Sequence, residues 1–294
     1  MKHPHNEITE KFPLVSIGLP VFNNQNLIRK AIQSITSQSF QNWELIVSDN
    51  NSSDETVKII EELIKSDDRI FLYKQKSNIG MYPNFKFVLD KARGKYFHWL
   101  AADDSRSKNF LDENISFLES NEAFVASCSK KYIGGIDKIQ NQNTNFSIEH
   151  SIAFQRISYL LDNIWQSHSV YYSVIRTLVI KKCQFLGEHF LAQDWIIDVH
   201  LAKHGKIALQ NSSYIIIGEE GVSRVNPFKP FRLYWIEFII PLFTFHLKFN
   251  YLIADFSLLE KFKLQLKIIF LHSFFVRAFF MKRLRKFIKG LIKR

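Results

Sequence analysis

Leu14-Val15-Ser16-Ile17-Gly18-Leu19-Pro20-Val21-Phe22-Asn23 carries a short apolar run that closes at a proline and opens into the polar stretch Asn23-Asn24-Gln25-Asn26. A run of that length, bounded by turn residues, reads as a buried strand. Leu27, Ile28, Ala31, Ile32 and Ile35 then fall on one face of a helix. The alternation repeats downstream. Trp43 to Val47 reads as a second strand, and Ser52 with Glu55 has the spacing of a capping box opening a helix with Val57, Ile60 and Ile64 inward. Ile70 to Tyr73 reads as a third strand, and Phe85, Val88, Leu89 and Ala92 as a third helix ending near Gly94. Tyr96 to Ala101 is a fourth strand that runs into Asp103 and Asp104. This βαβαβαβ order predicts an α/β fold whose mainly parallel sheet has helices on both faces.

After Phe124 to Cys128 the regularity fades. Gln140 to Asn145 reads as an exposed loop, Asp194 to Ala202 as a helix with Gly205 past its end, and Tyr214 to Ile217 as a strand. Beyond Pro227 and Pro230 the composition shifts to Phe, Leu, Ile and Lys. The expected organisation is a polar tail over 1–12, an α/β domain over 13–225 and a helical region over 226–294.

The chain's 294 residues are 46% hydrophobic, ample for a substantial core, and include 28 Phe. Cys128 and Cys183 form no C-x-x-C pair and read as reduced, buried thiols. The polar N-terminus shows no apolar signal core, so export by that route is not expected. The net charge of +11 is unevenly placed: residues 261–294 hold eleven Lys or Arg and no Asp or Glu, so the first 260 residues are formally neutral. The basicity belongs to the tail and points to an anionic partner there.

In open α/β sheets ligands bind outside the carboxyl ends of the strands. Here those ends carry Pro20-Val21-Phe22-Asn23, Ser48-Asp49-Asn50-Asn51-Ser52-Ser53-Asp54 and Ala101-Ala102-Asp103-Asp104-Ser105. Neither G-x-G-x-x-G nor G-x-x-x-x-G-K-[ST] occurs, so the usual dinucleotide and P-loop cradles are missing. A nucleotide bound here needs its diphosphate charge balanced by a cation. Mg²⁺ and Mn²⁺ take oxygen ligands, often one or two carboxylates with phosphate and water. Asp103 and Asp104 suit that task; capping of the helix that leads into Phe110 and Leu111 is their other reading.

These residues carry a resemblance. Val15 to Asn23 is similar to the opening strand of family 2 glycosyltransferases, and Asp49 to Thr56 to their second-strand Asp-Asp-Gly-Ser-Thr-Asp motif. Asn78-Ile79-Gly80 with Asn84, then Ala92-Arg93-Gly94-Lys95-Tyr96, resembles the segment leading to their metal motif, and Leu100 to Asp104 occupies the place of Asp-x-Asp. Gln193-Asp194-Trp195 resembles the Glu-Asp-Trp element, followed by Gly205-Lys206-Ile207. The likeness covers roughly residues 13 to 220; each motif alone is weak, and their common order is specific.

The resemblance implies a GT-A fold and an inverting transfer of sugar from a nucleoside-diphosphate donor to a hydroxyl of a glycan or lipid-linked acceptor. Asp49 would hydrogen-bond the nucleobase, with Pro20, Val21, Phe22 and Asn23 lining its pocket and Asn78, Arg93 and Ala102 beside the nucleotide. Asp103 would hold the Mn²⁺ or Mg²⁺ ion, with Asp104 accessory, and Asp194 would be the general base. Asp49 and Asp194 can also be read as helix caps, and Arg93 as a solvated surface arginine. Ala101 stands where the first Asp of Asp-x-Asp usually lies, and Gln193 where Glu usually precedes the base. The Gln-x-x-Arg-Trp signature of processive synthases is absent, so one sugar per encounter is expected.

His98 and Trp195 read as packing residues, and His189, His200 and His204 lack metal-site spacing. Two other classes compete. A sugar nucleotidyltransferase on a similar sheet would show a Gly-rich first loop with Arg and Lys. A nucleotide-binding protein without activity would treat Ala101 and Gln193 as early losses.

In the tail, Phe280, Leu284, Phe287, Ile288, Leu291 and Ile292 share one helical face, opposite Lys282, Arg285, Lys286, Lys289 and Lys293. That pattern predicts a helix lying in the interface of an anionic membrane, at its cytoplasmic face, and no nucleic-acid partner. The apolar stretches upstream are too short to span a bilayer.

Overall fold

Val15–Val21 (β1) places Val15, Ile17, Leu19 and Val21 in one core while Gly18 faces the opposite side, as the two-residue period of a strand dictates. The computed structural model describes residues 12–134, 146–218 and 242–273, with Glu237, Ile240 and Arg277. The tail helix over 280–294, the boundary at 226 and the loop at 140–145 lie outside the described residues.

The expected alternation is present. Helix α1 (Ile28–Thr36) leads to β2 (Trp43–Asp49), α2 (Thr56–Ile64) to β3 (Ile70–Lys74), and α3 (Met81–Lys91) to β4 (Tyr96–Trp99). Then come β5 (Ser105–Arg106), α4 (Phe110–Ser120), β6 (Phe124–Ile133), α5 (Ala153–Asp162), α6 (His168–Tyr171), β7 (Val174–Arg176) and α7 (Thr177–Ile180). A 3-10 turn at Ile164–Gln166 separates α5 from α6, and helix α8 (Gln193–His204), β8 (Lys206–Ile217), α9 (Phe243–Leu252) and α10, helical over 258–273, complete the described elements.

The described strands form one sheet in the order β3-β2-β1-β4-β7-β6-β8-β5. Pairings β1–β2, β1–β4, β2–β3 and β6–β8 are parallel, while β4–β7, β6–β7 and β5–β8 are antiparallel. The sheet is therefore parallel in its first half and mixed in its second. One core lies under α1, α2 and α4, and the other under α3, α5, α8, α9 and α10. Covering both faces is what allows the strands to read as near-continuous apolar runs.

Several local expectations need correction. Ser52 and Glu55 make no capping box: the Ser52 N–H donates to Asp49 Oδ2, the Ser52 hydroxyl accepts from Asn23 N–H, and Asp54 Oδ1 receives the Thr56 N–H. Asp103 and Asp104 do not cap α4, because β5 intervenes and Asn109 precedes the helix. Asp194 lies inside the first turn of α8, so it is not the N-cap; that position belongs to Ala192 in a left-handed conformation (φ 65°). Gly205 does end α8, but its backbone is extended. Its missing side chain matters for space, since a Cβ there would stand 2.3 Å from Val125 Cγ1. Strand β8 starts eight residues earlier than expected. Its polar Gln210-Asn211-Ser212-Ser213 conceals the pattern, and the register against β6 jumps there, from Ser129↔Gln210 to Lys130↔Tyr214.

Candidate active site

The parallel half of the sheet brings the carboxyl ends of β1, β2 and β4 into one rim, with Val21 level with Asp49. Two loops there are laced together by short-range hydrogen bonds. Asn23, at φ 46°, receives the Ser53 N–H at 2.8 Å on its Oδ1, and its own N–H donates to Ser52 Oγ at 2.9 Å. Asn24 N–H donates to Thr56 Oγ1, and Gln25 Oε1 accepts from Glu55 N–H.

Inside this lacing Asp49 is buried. Its Oδ2 accepts the Ser52 N–H at 3.1 Å, while Oδ1, also buried, has no partner among the described atoms. A buried acceptor without a donor is costly unless something else fills the position. Next to it, Asn50 Nδ2 donates to Asn78 Oδ1 at 2.9 Å and Asn50 Oδ1 receives the Ile79 N–H at 2.8 Å, so Asn78 braces the rim through Asn50. Ser48 and Asn84 exchange two hydrogen bonds below. Pro20 and Val21 are buried, and Phe22 stands exposed at the mouth.

At the end of β4, Leu100 N–H still bonds Gly18 O, and Asp104 N–H closes a turn on Ala101 O. That turn buries Ala102 and leaves Asp103 half-exposed. Asp103 lies over Gly218: a Cβ on Gly218 would be 2.3 Å from Asp103 Oδ2, so only glycine leaves the carboxylate this space. Asp104 is different. Its Oδ1 accepts Gly218 N–H at 3.0 Å and its Oδ2 faces Arg106 at 3.4 Å, both side chains buried. As a correction, Asp104 spends both oxygens inside the protein and is not a ligand facing outward. Among the described residues no three His, Cys, Asp or Glu side chains converge into a metal cage. The half-exposed Asp103 carboxylate suits a cation that takes its other ligands from a diphosphate and water.

Arg106 is the residue that sequence reasoning missed. Fully inside the molecule, it donates Nε–H to His98 Nε2 at 2.9 Å and its other nitrogens to Ser105 O and Trp99 O. His98 therefore carries its proton on Nδ1, toward Ser173 O. Burial and the Arg106 charge hold the His98 pKa well below the usual histidine range. Only the step from Asp104 to Arg106 hints at this, and that spacing is common.

Antiparallel pairing puts the start of β7, and Tyr171 and Tyr172 before it, at the carboxyl end of β4. Trp99 stacks on Tyr171 at 4.8 Å, and Tyr172 meets Tyr171 edge-on at 5.2 Å. Burial raises the Tyr172 pKa well above its ordinary value, and the charges of Asp104, Asp103 and Asp194 raise it further. The Tyr82 hydroxyl is raised by burial and then by Asp194. Asp103 and Asp194 thus act on one aromatic wall, although 91 residues separate them in the chain.

Asp194 is half-buried at the start of α8, with Gln193 tied to Phe185 O behind it. One turn on, Asp198 is fully buried. Its Oδ2 accepts from Ser167 Oγ at 2.7 Å, and burial followed by the Asp194 charge pushes its pKa well above the carboxylate range.

Arg93 does not join this site. It pairs with buried Glu44 at 2.7 Å, and its N–H bonds Ser16 Oγ, at the amino ends of β1 and β2. From Ser16 to Val21 is about 16 Å at the usual strand rise, so the guanidinium faces the wrong end of the sheet for the nucleotide. Trp195 packs edge-on against Trp165 and Phe245, and His200 Nε2 bonds Val179 O, as packing residues do. The pocket lined by Lys182, Gln184, Phe185, His200 and Tyr251 opens at the far end of α8 and takes no part here.

A sheet parallel in its first half, covered by helices on both faces and carrying acidic side chains at its carboxyl rim, is of the α/β nucleotide-binding class. The family model described as "Glycosyl transferase family 2" matches residues 16–182, more than half the chain, and the chain belongs to that family. An uncharacterized glycosyltransferase of Haemophilus influenzae is 33% identical over 117 residues, 40% of this chain and 36% of the relative. The GalNAc(5)-diNAcBac-PP-undecaprenol beta-1,3-glucosyltransferase of Campylobacter jejuni is 26% identical over 225 residues, 76% of this chain and 71% of the relative. The chain spans less than half the length of the first curated relatives, 36% and 44%. Staphylococcus aureus TarS in complex with UDP-GlcNAc superposes with a TM-score of 0.57 at 18% identity, over 72% of this chain and 60% of TarS. The mannosyltransferase PcManGT of Pyrobaculum calidifontis, in complex with GDP-Man and Mn²⁺, gives a TM-score of 0.53 at 14% identity, over 70% of this chain and 56% of that one. At these identities the likeness establishes the GT-A fold alone.

Proposed function

We propose that the chain transfers one sugar from a nucleoside-diphosphate sugar to a hydroxyl of a glycan or lipid-linked acceptor at the cytoplasmic face of a membrane, with inversion. The observation that carries this reading is Asp49: a buried carboxylate in a rigid loop with one oxygen still lacking a donor. A nucleobase N–H is the group such an acceptor selects. The laced loops from Asn23 to Thr56 keep that acceptor in place before a ligand arrives, which lowers the ordering cost of binding.

Asp103 would hold Mn²⁺ or Mg²⁺. When bound, that ion supplies positive charge against the leaving diphosphate. Asp194 takes the proton of the acceptor hydroxyl as its oxygen attacks the anomeric carbon on the side opposite the diphosphate, which gives inversion. Trp99, Tyr171, Tyr172 and Tyr82 form an aromatic wall beside the two carboxylates. A lipid-linked acceptor is supported by the name of the Campylobacter relative, and a sugar-nucleotide donor by the UDP-GlcNAc complex of TarS.

Titration calorimetry with UDP, GDP and CMP, each with and without Mn²⁺, tests the donor half. One nucleoside diphosphate should bind, and Asp49→Ala should weaken it by about tenfold or more, the loss of a charged hydrogen bond. Equal affinity in a folded Asp49→Ala protein would refute the nucleobase assignment.

A further inference from the structure

Helix α10 has two unlike sides. Leu264, Ile268 and Leu271 are buried in the core beneath α9. On the opposite side Leu258 (85% exposed), Phe262 (60%), Leu266 (51%) and Ile269 (57%) form a stripe at steps of four and three, flanked by Leu259 and Phe270 (72%). A soluble helix normally sets charged residues against that solvent-facing arc. Singly exposed apolar side chains need no explanation, but six on one helical face do.

We infer that this outward face of α10 is the surface through which the protein inserts into an anionic lipid interface. It rests on the membrane reading above and gives it a named surface other than the 280–294 segment. Charge selects the occupant. Between Lys261 and Arg294 the chain has eleven cations and no carboxylate. A second copy would carry the same excess of positive charge, whereas phosphate headgroups would neutralise it. Lys263 is exposed at the flank of the stripe, and Lys267 pairs with Asp162, tying α10 to α5. In sequence alone the same spacing resumes at Phe280 and runs through Leu284, Phe287 and Leu291. No described helix is long and apolar enough to cross a membrane, so α10 would lie along the interface, over about 24 Å for its described residues. An enzyme held there meets a lipid-linked acceptor in two dimensions.

The test is co-sedimentation of the full chain with vesicles of phosphatidylglycerol and phosphatidylcholine, and with phosphatidylcholine alone. The parent should bind the anionic vesicles more strongly, and salt should weaken binding without abolishing it. The double variant Phe262→Glu, Leu266→Glu should lose about tenfold or more in partitioning, because two apolar side chains are withheld from lipid and two carboxylates are set against anionic headgroups. Its nucleotide affinity should be unchanged, which shows that it is folded. Undiminished vesicle binding by that variant would overturn the inference and move the anchor elsewhere. So would light scattering that finds the parent a dimer and the variant a monomer, since a second copy would then be the occupant. Because vesicle binding is read without turnover, its failure and a failure of the transferase reading are separate results.

Discussion

The two halves of the site are held by different forces. The half formed by β1, β2 and their loops is fixed at the surface by side chains bonding to backbone: Asn23 to Ser53, Ser52 to Asn23, Gln25 to Glu55. The half formed by β4, β5, β7 and α8 is fixed from inside, by buried charge and stacked rings: Asp104 on Arg106, Arg106 on His98, Trp99 on Tyr171. Loops of the first kind tolerate single losses, because each bond contributes about 1 kcal/mol and water can replace it. Buried charge does not tolerate loss, because what remains has no water to turn to. The half that would bind the nucleotide is therefore redundant, and the half that would do the chemistry is not.

The sharpest way to break this contrast is Asp103→Ala. With Ala101 in the triplet and Asp104 committed to Arg106, no other carboxylate of the triplet stands ready to take over among the described residues. Sugar transfer should be lost, and Mn²⁺ should no longer raise the melting temperature in the presence of nucleoside diphosphate. A folded variant with full activity would remove Asp103 from the mechanism.

Next in size is Arg106→Met. It leaves the Asp104 carboxylate and His98 Nε2 buried without their donor, and such a change costs about 3–5 kcal/mol. Urea denaturation should show that loss. Adding Asp104→Asn should recover part of it, since the double variant buries no lone charge. Independent, additive effects would mean that the pair is not coupled.

The same contrast explains what the sequence could disclose. Strands β1 to β4 and their helices follow local apolar periods, so Ile17, Leu45 and Phe97 announced themselves, and the acidic rim followed from where the strands stop. Arg106 did not announce itself, because its partner His98 lies on another strand and only pairing brings them together. Strand β8 was cut short for a similar reason: its middle is polar and bulged. Arg93 misled in the opposite sense. Its motif neighbourhood suggested a phosphate, but the chain turns at Gly94 on the amino side of the sheet, where Glu44 waits. The residues placed well were those whose position follows from one strand; those placed poorly depend on pairings between distant segments.

Third is Asp194→Asn. Asparagine keeps the size and the place in the α8 turn, so nucleotide affinity should stay within about twofold while transfer falls by roughly 10²-fold or more, the scale of a lost general base. Single-turnover rates beside calorimetry would separate the two. A small rate loss accompanied by a lower melting temperature would make Asp194 a structural residue instead.

The smallest expected effect is a pH-dependent one, at Asp198. Its raised pKa means that the folded protein keeps a proton that the unfolded chain releases above about 3.9. The stability this gives is complete in acid, and it is lost as pH climbs from that value through the folded pKa. His200, on the same helix, has the opposite sign: burial lowers its pKa to about 4, so its contribution is present above about 6.5 and lost as pH falls toward 4. A comparison between parent and Asp198→Asn cancels the histidine, because both proteins carry it. Asparagine can still accept the Ser167 hydroxyl and has no proton to lose. The variant should therefore gain on the parent as pH rises above about 4, with a slope no steeper than about 1.4 kcal/mol per pH unit for one proton. Urea titrations at several pH values would show it. A difference that stayed flat with pH would mean that Asp198 is ionised in the folded protein, and that the start of α8 carries two negative charges.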